Sequence, residues 1–236
     1  MNIVVTTPTL SILSKNLGTK CARFPVNRIY CIGRNYKEHA IEMGHSDRDP
    51  PFFFQKPSDA IVDTSIQPTI PYPPMTNDVH HEAELVVAIG KQGLGIKQKD
   101  AMQHIYGYAI GADLTRRDLQ SQAKKQGRPW AVAKGFDYSA PCGPIVPKDE
   151  IELQNNAKIS LSVNGEMKQN STIDHMIWSI PEMISILSQY FRLKPGDLIF
   201  TGTPAGVGAI FYGDEIKIEC GDLPPCVFTV GEPEKE

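Results

Sequence analysis

Long apolar runs are missing from these 236 residues. The longest are about half of the ~20 residues that a membrane-crossing helix needs, so no membrane span is expected. The opening Met1-Asn2-Ile3-Val4-Val5-Thr6-Thr7-Pro8 has no basic stretch ahead of its apolar residues and is interrupted by Thr and Pro, unlike a secretory leader. Cysteine is sparse and odd in number: Cys21, Cys31, Cys142, Cys220 and Cys226, with no Cys-x-x-Cys. That argues against a disulfide framework and against a thiolate zinc site, and the five read as reduced, mostly buried fillers of a cytoplasmic protein. Charge of either sign is not in excess. Lys and Arg number 24 against 27 Asp and Glu, a net −3, with a pI near 6.1, which gives no general pull on nucleic acid or on an acidic membrane surface. Also absent are the Gly-x-Ser-x-Gly elbow of serine hydrolases, the Gly-Lys-Ser/Thr of a P-loop and the Gly-x-Gly-x-x-Gly of dinucleotide sites. No low-complexity linker or repeat divides the chain, so one domain over residues 1–236 is expected.

What is present is strand. Arg28 to Gly33, Leu85 to Ile89, Ile105 to Ala112, Ile159 to Val163, Asp197 to Thr201 and Glu215 to Glu219 have strand length and β-forming residues, bounded by Gly, Pro and Asp. Asn164-Gly165 supplies the positive φ angles of a type I′ hairpin turn. Residues 67–74, with four prolines, read as an extended or looped connection. Helices are few. Ser179 and Glu182 form a capping box ahead of Ile180, Met183, Ile184 and Leu187 on one face. Thr115 reads as the start of a second helix that stops at Gly127, and a short third is expected over residues 36–43.

Chemistry concentrates at His80-His81-Glu82-Ala83-Glu84, at the mouth of an apolar, β-branched run. In a strand, residues i and i+2 share a face, so Glu82 and Glu84 stand within about 7 Å of each other along the backbone, where two negative charges repel unless a cation or proton lies between them. Asp113, which ends the run Gly107 to Ala112 just before a helix, is the best third carboxylate. An all-oxygen set of this kind suits Mg²⁺, Mn²⁺ or Ca²⁺ better than zinc. His80 and His81 keep zinc open, but no His-Glu-x-x-His is present. The same alternation also fits the solvated face of an edge strand.

Other groups admit two readings each. His39 and Glu42, three apart and neighbours on one face if the stretch is helical, suit a general base and its orienter, although on their own they fit an exposed helix face better. Lys134 is a lone cation in the small, apolar run Ala131-Val132-Ala133. If buried it needs an anionic partner, and otherwise it snorkels to solvent. Arg34, Lys56, Arg117 and Gln120 add donors, although most arginines on a helix are solvated. Thr201-Gly202-Thr203-Pro204-Ala205-Gly206 offers backbone amides and a hydroxyl to an anion, or simply a tight turn.

In this order these segments resemble the fumarylacetoacetate hydrolase family. The resemblance runs from Gly33-Arg34-Asn35-Tyr36 with His39 and Glu42, through Gln55-Lys56-Pro57, His80 to Glu84 and Asp113 to Asp118, to Ala133 to Asp137, Val163-Asn164-Gly165, and Lys194-Pro195-Gly196-Asp197 with Thr201 to Pro204. It covers roughly residues 25–220. It implies a mixed α+β, strand-rich fold, the β-roll of fumarylacetoacetase C-terminal regions with few short helices, usually as a homodimer. It further implies a Mg²⁺ or Mn²⁺ ion held by Glu82, Glu84 and Asp113, water activated by His39 and Glu42, and negative charge stabilised by Lys134. Substrate contacts would come from Arg34, Arg117, Gln120 and Thr203, with Lys56 in addition. Pro71 to Pro74 and Trp178 to Glu182 are most similar to the acylpyruvate and fumarylpyruvate hydrolases. The implied reaction is cleavage of a 2,4-dioxo acid to pyruvate and a carboxylic acid. The alternative is decarboxylation or tautomerisation of oxaloacetate, or isomerisation of a 2-hydroxyhepta-2,4-diene-1,7-dioate of aromatic catabolism, at the same enolate-stabilising site.

Overall fold

A computed structural model describes residues 6–17, 22–38 and 49–234. His39, Glu42 and Cys21 lie outside them, as does the expected helix beyond residue 38. The spine is Ala83–Ile89, whose seven residues are all buried. Their period-two alternation feeds two cores. Leu85, Val87 and Ile89 join one with Tyr30, Ile110, Leu161 and Ile199, while Val86 and Ala88 join another with Ile29, Cys31, Leu198 and Phe200. A strand apolar on both faces is the reading of a central strand. It sits in an eight-stranded sheet, ordered Phe53–Lys56, Arg28–Ile32, Asp197–Phe200, Ala83–Ile89, Ile105–Ala112, Ala140–Cys142 and Ile61–Asp63, with Val146–Pro147 also against Ile105–Ala112. Pairing is mixed: Asp197–Phe200 runs parallel to Arg28–Ile32 and antiparallel to Ala83–Ile89.

A second, five-stranded sheet orders Glu166–Thr172, Lys158–Val163, Glu215–Cys220, Cys226–Gly231 and Thr69–Pro71. Asn164 and Gly165 turn its hairpin with φ of 52° and 80°, as the Asn-Gly pair requires. Among the described residues the α-helices are α1 (Arg117–Lys125), α2 (Ala131–Lys134) and α3 (Ile180–Tyr190). The capping box opens α3: the Ser179 backbone N–H donates to Glu182 Oε2 over 2.9 Å, and Met183, Ile184 and Leu187 are buried. The fold is therefore the strand-rich α+β arrangement expected.

Two local expectations are corrected and one is made specific. Thr115 does not start a helix, because Thr115–Arg116 pairs antiparallel with His80 and Val79, and α1 begins at Arg117. The proline-dense stretch, expected to be extended or looped, is extended at its centre. Thr69–Pro71 adds a strand parallel to Thr229–Gly231, burying Ile70, with the prolines confined to a sheet edge that needs no N–H from them. Glu82 and Glu84 do not share one continuous strand, since Glu82 falls in the break between Val79–His81, of a small three-stranded sheet, and Ala83–Ile89. The four cysteines among the described residues are free and buried.

Candidate metal centre

The break at Glu82 does not separate the two glutamates. Glu84 pairs with Gly111 and Ala83 with Ala112, and one step further the Asp113 N–H donates to the Glu82 carbonyl over 2.9 Å. The ladder thus sets Asp113 across from Glu82, beside Glu84. One ligand oxygen from each of the three buried carboxylates lies within 4.8 Å of the others. Three carboxylates out of water are untenable without positive charge nearby, and the surrounding elements bring it in. Lys134, at the end of α2, places its ammonium 2.8 Å from Glu82 Oε2 and 2.7 Å from Asp113 Oδ2. Lys56, at the end of Phe53–Lys56, lies 2.7 Å from Asp113 Oδ1 and donates to the carbonyls of Leu114 and Lys134, tying the α2 terminus to the sheet. Arg117, the first residue of α1, bonds Glu82 Oε1.

Glu84 is served differently. Its Oε2 accepts the Gly202 N–H at 2.7 Å, and no ammonium or guanidinium ion-pairs with it among the described residues. Burial, then the charges of Asp113 and Glu82, push its carboxyl well above the usual range, with Lys134 and the Gly202 N–H acting the other way. For Lys134, burial alone would lower the ammonium's pKa, but Asp113 and Glu82 overcome it and the net shift is upward. A cluster with one buried carboxylate lacking a cation fits a hard divalent ion, and the all-oxygen donor set fits Mg²⁺ or Mn²⁺. The histidines take no part in it: His80 pairs with Asp78 over 2.9 Å and His81 meets Gln169 over 3.1 Å.

Arg34, Arg117, Gln120 and Thr203 line the same pocket, while His39 and Glu42 lie outside the described residues. Arg117 Nη1 donates to Gln120 Oε1 over 2.6 Å, and both side chains line the pocket. Thr203, 3 % exposed, enters from the glycine-rich loop. That loop depends on two glycines. At Gly202 (φ +91°) a Cβ would lie 2.7 Å from Asn35 Cβ, and at Gly206 (φ +91°) it would lie 2.2 Å from the Lys168 carbonyl oxygen. Only glycine takes both the left-handed backbone and the contact. Arg34, also at positive φ (58°), stacks on Phe52 at 5.3 Å.

Sequence reasoning passed over Lys124. It lies on the α1 face of Arg117 and Gln120, at the helical spacing of seven and four that could have revealed it, and its ammonium sits 5.2 Å from the Trp130 ring centroid. Burial, then Arg117 and Arg34, lower its pKa to about 8. Lys134, Lys56 and Arg117 are spent on the carboxylates. Lys124 and Arg34, the latter with the Asp49 charge acting on it, both line the pocket.

A family model for the fumarylacetoacetate (FAA) hydrolase C-terminal region matches residues 28–231. A fumarylpyruvate hydrolase of a Ralstonia species is 44 % identical over 183 residues, 78 % of this chain and 94 % of the relative. A mitochondrial oxaloacetate tautomerase of Homo sapiens is 41 % identical over 206 residues, 87 % and 92 % of the two chains. The crystal structure of fumarylpyruvate hydrolase from Pseudomonas aeruginosa, in complex with Mn²⁺ and pyruvate, superposes with a TM-score of 0.91 at 44 % identity, covering 98 % of this chain and 99 % of the other.

Proposed function

The chain belongs to the fumarylacetoacetate hydrolase family, and we propose that it hydrolyses the carbon–carbon bond of a 2,4-dioxo acid bearing a second carboxylate, such as fumarylpyruvate. The observation that carries this reading is the gathering of Glu82, Glu84 and Asp113 around Lys134, in one pocket with the donors of Gln120 and Thr203. Glu82, Glu84 and Asp113 would hold a divalent ion, which would supply a Lewis acid to a bound 2-oxo acid. Gln120 and Thr203 orient the acid through its oxygens. His39, oriented by Glu42, takes a proton from water as the water oxygen attacks the distal carbonyl. The carbon–carbon bond then breaks, its electron pair passes to the departing pyruvate enolate, and protonation of that carbon gives pyruvate beside the carboxylic acid. The Lys134 ammonium stabilises the negative charge as it develops.

Charge favours a dicarboxylate. Lys56, Lys134 and Arg117 are engaged by Asp113 and Glu82, and Glu84 is left to a divalent ion, so Arg34 and Lys124 remain at the pocket for a second carboxylate on the substrate. Fumarylpyruvate has one and acetylpyruvate has none. Lys124 loses its charge as the pH rises through about 8, so KM for fumarylpyruvate is expected to rise above that pH while KM for acetylpyruvate stays level. Oxaloacetate also carries a second carboxylate and is named in the tautomerase relatives. The purified protein with Mg²⁺ or Mn²⁺ is therefore to be given fumarylpyruvate, acetylpyruvate and oxaloacetate while enol absorbance and products are followed. Oxaloacetate turnover without cleavage of either dioxo acid overturns the hydrolase reading in favour of the tautomerase or decarboxylase.

A further inference from the structure

Strand Glu166–Thr172 belongs to the second sheet and is exposed or half-buried at all its other positions, yet its Gln169 is 1 % exposed. The cause is a bulge. Leu161 pairs with Gln169 and Ser162 with Met167, so Lys168 is the extra residue and the following side chain is re-aimed inward. There every polar atom of the Gln169 amide is engaged. Oε1 accepts the Ala83 N–H at 3.0 Å and lies 3.1 Å from His81 Nδ1, while Nε2 donates to Thr203 Oγ1 at 2.8 Å and to the Pro204 carbonyl at 2.8 Å.

We infer that Gln169 is a positioning residue that joins the Glu82-Ala83-Glu84 turn to Thr203 and fixes which way the Thr203 hydroxyl points. The amide cannot be flipped, because Oε1 is required by a backbone N–H and Nε2 faces a backbone carbonyl, neither of which can change role. A hydroxyl that accepts from Nε2 keeps its own hydrogen for another partner. Thr203 lines the pocket and Gln169 does not, so the free hydrogen is left for an anionic oxygen of the ligand. Gly206 makes the arrangement reachable, since its missing side chain lets the loop close on the Lys168 carbonyl beside Gln169.

This inference rests on the reading of Thr203 as a donor to a 2-oxo acid, so its test is binding rather than turnover. The probe is oxalate, titrated calorimetrically into the Mg²⁺-loaded protein. Gln169→Glu keeps the acceptor for Ala83 and His81 but replaces the N–H₂ donor with an acceptor, which turns the Thr203 hydrogen away from the pocket. Oxalate affinity is expected to fall at least tenfold, with Mg²⁺ affinity changed less than threefold. In a Thr203→Val background the same substitution is expected to cost less than threefold. Equal losses in the two backgrounds, or no loss in either, overturn the inference, as does a parallel loss of Mg²⁺ and oxalate affinity. Should Gln169→Glu fail to fold, Gln169→Met, which removes the donor without adding an acceptor, is expected to show a smaller oxalate loss that again vanishes with Thr203→Val. These outcomes do not depend on which substrate is cleaved: oxaloacetate turnover with neither fumarylpyruvate nor acetylpyruvate cleaved overturns the hydrolase reading and leaves the Gln169 result standing.

Discussion

Glu84→Gln is expected to abolish the response of this protein to Mg²⁺ and Mn²⁺ and to lower turnover roughly 10³-fold or more, beyond the scale on which single electrostatic groups act. The amide is nearly isosteric and keeps an oxygen for the Gly202 N–H that Glu84 accepts at 2.7 Å, so the loss is one of charge. The sign of the stability change separates this from simple damage. Glu84 has a carboxyl pKa raised well above 4.5 by burial and by Asp113 and Glu82. For a carboxyl whose folded pKa exceeds its unfolded value, the folded state binds more protons, so its stability contribution is complete below about 4.5 and fades as the pH rises through the folded pKa. Metal-free wild type is therefore expected to lose stability on going upward from pH 4.5, and Glu84→Gln to be flatter over that range and at least as stable at pH 7. Saturating metal reverses the order. At 100 times Kd, binding adds about 2.7 kcal/mol to the wild type, a Tm rise of roughly 5–11 °C for a chain of this size. Thermal melts with and without Mg²⁺ at several pH values measure both effects. A Mg²⁺-dependent Tm rise that persists in Glu84→Gln would show that the ion is held without Glu84.

The candidate centre was legible to the extent that it depends on local period and chain order. Two glutamates separated by one residue at the mouth of Leu85-Val86-Val87-Ala88-Ile89 point to one face, and Asp113 ends a strand of matching character. The ladder that pairs Glu84 with Gly111 brings these readings into one place. It does so even though Glu82 lies in a break between strands, because the Asp113 N–H still bonds the Glu82 carbonyl. What stayed hidden depends on partners remote in sequence. Lys56 and Lys134 are 78 residues apart, and only the packing of α2 against Phe53–Lys56 joins them at Asp113. Thr115 has the chemistry of a helix cap, but strand pairing with His80 claims its backbone. Gln169 sits in a strand of polar residues with nothing to distinguish it, since the bulge that turns it inward is a property of register and not of composition.

Lys134→Met is expected to separate catalysis from metal binding in the opposite sense. The ammonium and a divalent ion compete for the same carboxylates, as Lys134 lies 2.8 Å from Glu82 and 2.7 Å from Asp113. Removing it makes the cluster one charge more negative, so Mg²⁺ affinity is expected to hold or to tighten. Turnover is expected to fall about 10²–10³-fold at saturating metal, the range found when one preorganised electrostatic donor is deleted. Without metal the cost appears as stability. Breaking a buried ion pair by removing one partner costs about 3–5 kcal/mol, a Tm fall of roughly 6–20 °C. For an amine whose folded pKa is raised, as that of Lys134 is by Asp113 and Glu82 against the effect of burial, the contribution is complete below about 10.5 and is lost only as the pH rises through the still higher folded value. The metal-free Tm difference between Lys134→Met and wild type is therefore expected to persist up to pH 10 and to shrink when Mg²⁺ is added. A purely structural lysine predicts restored turnover once metal restores the fold. Steady-state rates measured at the metal concentration that returns Tm to the wild-type value decide the point: turnover within threefold of wild type there would remove Lys134 from the chemistry.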